Sequence, residues 1–164
     1  MAHIVRRVRQ AGVYFVSSRA WQSRALFQKP DTAQILIEQL LDCRARGFYQ
    51  LHAFVVMPDH FHALLTPARG ESLEKAMQMI KGGSAHIIKQ SLHYASPVWQ
   101  PGFHDRWIRD VAESRTRIDY IRRNPIAAKL ATAPDEYLPS SACGKYQMDK
   151  SQFDQEISIA EEGM

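Results

Sequence analysis

Two β-prone runs, YQLHAFVVM at 49–57 and HFHALLT at 60–66, are separated only by Pro58 and Asp59. Proline lacks the N–H that a sheet ladder needs and aspartate favours turns, so the runs pair as a hairpin. The other segments fall in order around it. Residues 13–18 (VYFVSS) form a first strand by the same criterion. Pro30 opens a helix with Asp31 as the expected cap, and Leu36, Ile37, Leu40, Leu41 and Cys43 make its apolar stripe. A second helix starts at Ser72, with Leu73, Ala76, Met77, Ile80, Ile87, Ile88 and Leu92 on one side. Gly82-Gly83 inside it weakens the helix by roughly 1 kcal/mol per glycine, which points to a bend or a close approach there. Residues 103–109 read as a short strand, and 113–123 as a helix with Ile118 and Ile121 inward, before a stop at Pro125. The order β-α-β-β-α-β is the ferredoxin-like arrangement: an α+β sandwich with an antiparallel sheet, here with a further C-terminal helix.

A chain of 164 residues fits one domain with a real core. Its formal charge is +4, unevenly spread. Residues 149–164 hold five acidic side chains against Lys150, a charge of −4, which leaves +8 on residues 1–148. The expected organisation is therefore a single basic domain, 1–148, followed by an acidic, disordered tail. A basic body suits a polyanionic partner, and the tail is a candidate competitor for the same surface. Cys43 and Cys143 stand alone, without CxxC spacing, so neither a disulfide framework nor a zinc knuckle is expected. No apolar stretch approaches the ~18 residues of a membrane span. A reducing cytoplasm is the expected setting, with no membrane partner.

His60-Phe61-His62 carries the strongest chemical signal. Residues i and i+2 of a strand share a face, so two imidazoles would project together, a pairing that suits a divalent metal. A bare HxH is read first as a polar strand face, and Asp59 beside it as a turn residue. A second feature is DYIRRNP at 119–125. Tyr120 and Asn124 lie four apart and share a helix face. A tyrosine hydroxyl is a competent nucleophile once its phenolate is stabilised, and an amide carbonyl is a hard oxygen ligand. Alone, this stretch is also read as an amphipathic helix ending at proline.

Taken together, MPDHFHALLTP (57–67), VWQPGFHDRWIRD (98–110) and DYIRRNPIAAKL (119–130) closely resemble the single-tyrosine HUH transposases, and among them the REP-associated tyrosine transposases of bacteria. The resemblance runs from about residue 13 to 130. It implies a metal-dependent endonuclease and strand transferase acting on single-stranded, hairpin DNA in the bacterial cytoplasm, at the nucleoid. By this resemblance His60, His62 and Asn124 are the metal ligands, for Mg2+ or Mn2+, and Tyr120 is the nucleophile that forms a 5′-phosphotyrosine link. No organic cofactor is needed, and the protein works as a monomer or a homodimer. Relatives commonly carry a lysine two residues after the Asn-Pro pair and a glycine soon after. Here the run is Ile126-Ala127-Ala128-Lys129-Leu130, with the lysine later and the glycine absent.

Arg106, Arg109, Arg122 and Arg123 are the expected phosphate contacts, together with the basic amino end (Arg6, Arg7, Arg9) and Lys81 beside the glycine pair. Trp99, Phe103 and Trp107 are candidates for base stacking, with core burial expected for at least two. His52, His86, His93 and His104 read as polar surface or satisfied core residues. Two rival readings compete: a non-cleaving nucleic-acid-binding module of the same fold, and a hydrolase whose metal activates water while Tyr120 is only structural.

Overall fold

The computed structural model describes residues 9–154. Four strands, β1 (Tyr14–Arg19), β2 (Tyr49–Met57), β3 (His60–Pro67) and β4 (His104–Trp107), form one antiparallel sheet in the order β2-β3-β1-β4. Helices α1 (Pro30–Ala45) and α2 (Leu73–Leu92) provide the crossovers, and α3 (Val111–Ala127) is the appended helix. This is the expected ferredoxin-like sandwich.

Alternation along the strands sorts the core into two faces. Tyr14, Val16, Phe61, Ala63 and Leu65 pack with Leu36, Leu40, Ala76, Met77 and Ile80 under α1 and α2. Val13, Phe15, Val55, Met57 and Leu64 meet Ile121 of α3 on the opposite face. A register shift between Leu51 and Ala53 moves β2 out of strict alternation, so Leu51 and Phe54 reach the same side. His52, at that shift, is buried and satisfied by the Asp149 carbonyl and the Thr66 hydroxyl, both at 2.8 Å.

Several local expectations are corrected. The α1 N-cap is Lys29, not Asp31. Proline's fixed φ places Pro30 inside the first turn, and Asp31 instead adds negative charge at the positive end of the helix dipole. The α2 stripe includes Ser84 and omits Ile87 and Leu92, which are exposed. Ser72 does cap α2, its hydroxyl accepting from the Lys75 N–H at 3.0 Å. The glycine pair marks a close approach within a continuous helix: a Cβ on Gly83 would lie 2.0 Å from Gln39 Nε2 of α1. Pro125 does not stop α3, which runs to Ala127. It closes by Lys129 N–H to Ile126 O (2.9 Å) and Leu130 N–H to Pro125 O (2.8 Å), with Lys129 at φ 60°.

The body also extends past residue 148, beyond the expected start of the tail. Asp149 accepts from Arg44 at 2.7 and 2.8 Å and from the Leu51 N–H at 2.9 Å, and Phe153 is buried in the α3-side core. An acidic residue stays on the body here because a half-buried guanidinium fork and a strand N–H donate to it. No helix among the described residues is long and apolar enough to cross a membrane.

Candidate active site

The reversal at Pro58-Asp59 starts β3 at His60, and the pleat then fixes where its odd and even residues point. Phe61 and Ala63 enter the α1/α2 core, so His60 and His62 turn to the α3 side. Their ring centroids lie 4.7 Å apart. Asp110 starts α3 by accepting from the Glu113 N–H at 2.8 Å, and Ile121 anchors the helix against the sheet. Tyr120 is thereby carried to His62, with ring centroids 5.2 Å apart in an edge-on arrangement. Phe15 on β1 backs both, stacked on His62 at 5.2 Å and edge-on to Tyr120 at 5.9 Å. Tyr120 remains 46% exposed, so its hydroxyl is open to a polymeric substrate while its ring is held.

The two imidazoles differ. His60 Nδ1 donates to Asp59 Oδ1 at 2.6 Å, which leaves Nε2 as the nitrogen turned to another partner. Asp59 is in turn held by Arg19 at 2.8 Å. It is more than a turn residue: it orients His60. Both nitrogens of His62 are buried without a hydrogen-bond partner in the structure. Burial, then the positive surroundings of His60, Arg19 and Arg117, pulls its pKa down to about 3, so its ring is a neutral base with a free lone pair. A buried imidazole with nothing to bond fits a metal ligand, because a metal ion satisfies the lone pair. Among the described residues no group of three His, Cys, Asp or Glu side chains is arranged to hold a metal. An ion on this pair therefore needs a donor of another type. Asn124, half-buried one turn beyond Tyr120, is such a donor on the right helix.

The expected binding residues separate. Arg122 and Arg123 are exposed on α3. Arg106 and Arg109 are exposed but engaged with Glu113: Arg106 Nε donates to Oε1, and Arg109 Nε lies 3.5 Å from Oε2. Lys81 is not a free cation. Its ammonium donates to the carbonyls of Gln100 (2.9 Å) and Gly102, tying down the loop before β4. Arg9 pairs with Glu74 and Asp105, and Arg6 and Arg7 lie outside the described residues. Trp99 stacks on Phe27 at 5.0 Å and donates to Ser84, and Phe103 packs on the same core. Trp107 keeps 39% exposure. Two side chains were not singled out in the sequence. Arg19 is paired with His60 in the β1–β3 register, and Arg117 stands three residues before Tyr120 with its guanidinium carbon 4.9 Å from the Phe15 ring centre. The i−3 spacing from Tyr120 is the signal that points to Arg117.

Residues 15–124 match the family described as IS200-like transposases. The chain belongs to that family. The match begins in β1 and ends at Asn124, enclosing the histidine pair and Tyr120. The REP-associated tyrosine transposase of Escherichia coli (strain K12) is 28% identical over 94 residues, 57% of this chain. The chain spans about half of that relative, 54% of its length. The fold is shared with a REP-associated tyrosine transposase solved bound to a REP hairpin, at TM-score 0.70, 22% identity and 92% coverage of both chains. A protein from Deinococcus radiodurans R1 assigned as a transposase aligns at TM-score 0.53 and 19% identity, over 73% of this chain and 95% of its own.

Proposed function

We propose that this IS200-like transposase cuts and rejoins single-stranded hairpin DNA through a covalent link to Tyr120. The observation that carries the reading is the pairing of an exposed tyrosine ring with a buried, unpartnered imidazole, His62, at 5.2 Å. A pure binding surface has no use for a base buried without a hydrogen-bond partner, since such a group costs stability. The likeness to a transposase solved on a REP hairpin supports hairpin DNA as the substrate class.

His60, His62 and Asn124 would hold a divalent cation, Mg2+ or Mn2+, which when bound polarises the scissile phosphate. Two neutral imidazoles and one amide oxygen add no charge to the ion, so phosphate oxygens can complete its coordination. The chain does the rest. Asp59 holds His60 in the tautomer with Nε2 free, and Phe15 with Ile121 fixes the Tyr120 ring. The Tyr120 Oη–P bond forms as the P–O3′ bond breaks. The phenol proton leaves to solvent, and the departing 3′-oxygen takes up a proton to become the 3′-hydroxyl. Attack of a 3′-hydroxyl on the phosphotyrosine reverses the step and rejoins strands without ATP.

The test is a denaturing gel of end-labelled hairpin oligonucleotides incubated with Mn2+ or Mg2+ and either wild type or Tyr120→Phe. Label retained on wild type, and absent from the variant and the chelated control, is the expected result. Cleavage by both proteins without an adduct would replace this reading with a water-activating hydrolase. Binding without cleavage would leave a binding module.

A further inference from the structure

The arginines around the sheet are mostly spoken for. Arg19 is held by Asp59, Arg106 and Arg109 by Glu113, Arg9 by Glu74 and Asp105, and Arg44 by Asp149. Arg24, Arg69, Arg115, Arg122 and Arg123 are exposed, where water solvates the charge. Arg117 is neither. Among the described arginines it alone is half-buried with no carboxylate within 4.0 Å.

Its position is specific. The guanidinium carbon rests 4.9 Å from the centre of Phe15, the ring that stacks on His62 and meets Tyr120 edge-on. One aromatic side chain therefore presents the cation, the candidate ligand and the candidate nucleophile together. A π face offsets only part of the desolvation of a guanidinium, and its planar N–H fork is left with donors to spend. Asp59 already pairs with Arg19. An anion entering beside Tyr120 thus finds in Arg117 a half-buried guanidinium with no carboxylate partner, its fork geometry suited to a phosphodiester.

We infer that Arg117 is a catalytic residue that binds a non-bridging oxygen of the scissile phosphate. This rests on the phosphotyrosine reading above. As Tyr120 Oη bonds to phosphorus and the bond to O3′ lengthens, the phosphoryl group gains negative charge. A guanidinium in this place stabilises that charge and transfers no proton. Its contact with Phe15 keeps the fork in place before DNA arrives, so little reorganisation is required during the step.

The experiment is single-turnover adduct formation on a saturating, end-labelled hairpin oligonucleotide with Mn2+, for wild type, Arg117→Met and Arg117→Lys. Methionine keeps an apolar stem over Phe15 without the charge. Affinity for the uncut hairpin is measured for Arg117→Met and for Arg117 in a Tyr120→Phe background, and melting temperature for every variant. Arg117→Met is expected to form adduct about 100-fold more slowly, the scale of losing one preorganised donor at a developing charge. Its melting temperature and hairpin affinity should hold, the affinity within about threefold, and Arg117→Lys should recover part of the rate. Arg117→Met reacting within about threefold of wild type would overturn the assignment and leave the phosphotyrosine reading standing. A rate loss that tracks a fall in melting temperature would reduce Arg117 to packing. Wild type forming no adduct on any hairpin would remove both readings together.

Discussion

Tyr120 and His62 meet ring to ring at 5.2 Å, although one lies on the appended helix and the other on the second arm of a hairpin. Phe15 touches both, so the contact is a three-ring cluster held by three separate elements. His62 brings two buried, unbonded nitrogens to it. If the lone pair of that ring receives a cation, Mn2+ should stabilise the folded protein. At a hundredfold excess over its dissociation constant the gain is about 2.7 kcal/mol. His62→Ala and His60→Ala should each abolish the Mn2+-dependent rise in melting temperature. An equal rise in wild type and both variants would place the cation elsewhere.

Asp59 should matter through His60. Its carboxylate fixes the ring tautomer at 2.6 Å and touches Arg19 at 2.8 Å, outside the reacting atoms. Asp59→Ala is expected to weaken Mn2+ binding or the rate of adduct formation by about 10- to 100-fold, with hairpin affinity kept. Calorimetric titration of Mn2+ checks this, and an unchanged affinity together with an unchanged rate would return Asp59 to the role of a turn residue.

His52 gives the stability a pH dependence. Burial pulls its pKa below 6.5, only partly countered by its bond to the Asp149 carbonyl and the nearby carboxylates. The unfolded chain therefore takes up a proton near 6.5 that the folded chain refuses until lower pH. The stabilisation is complete above 6.5 and falls as pH drops below it, by up to about 1.4 kcal/mol per pH unit for this group. His62, pulled down to about 3, adds a loss of the same sign. Urea denaturation at pH 7.5 and 5.5 should show a steeper loss for wild type than for His52→Gln. Equal losses would contradict the assignment.

Lys129 stands at φ 60° just past α3, in the left-handed region that favours glycine. Lys129→Gly should raise stability by about 1 kcal/mol, readable by denaturant midpoint, while adduct formation stays unchanged. A lower midpoint would mean that the lysine side chain, not the backbone, dominates there.

Periodicity and turn chemistry carried most of the fold. The hairpin at 49–66 was legible because proline and aspartate interrupt β-branched and aromatic residues, and Ser72 because a hydroxyl before an apolar stripe caps a helix. Asp31 is not the cap because proline's fixed φ already suits the first helical turn, which sets the boundary one residue earlier, at Lys29. Ile87 and Leu92 misled because an apolar stripe shows what a helix can bury, while the facing elements decide how much is covered. The histidine pair and Tyr120 are legible as separate motifs, and their meeting only through the family resemblance, since it depends on Ile121 seating α3 against Val55 and Leu64. Lys81 was misread because no local pattern shows that the Gln100 and Gly102 carbonyls converge on its ammonium. Arg117 is hard to single out for a similar reason: its distinction is half-burial without a carboxylate partner, which only tertiary structure reveals.

Tyr120 is, in this account, the nucleophile of strand cleavage. The most direct test is peptide mapping by mass spectrometry of the protein after reaction with a hairpin oligonucleotide and Mn2+, followed by nuclease trimming. The account predicts one modified peptide, carrying a nucleotide through its phosphate on Tyr120. A modification on another residue, or cleaved DNA with every tyrosine peptide unmodified, would contradict it.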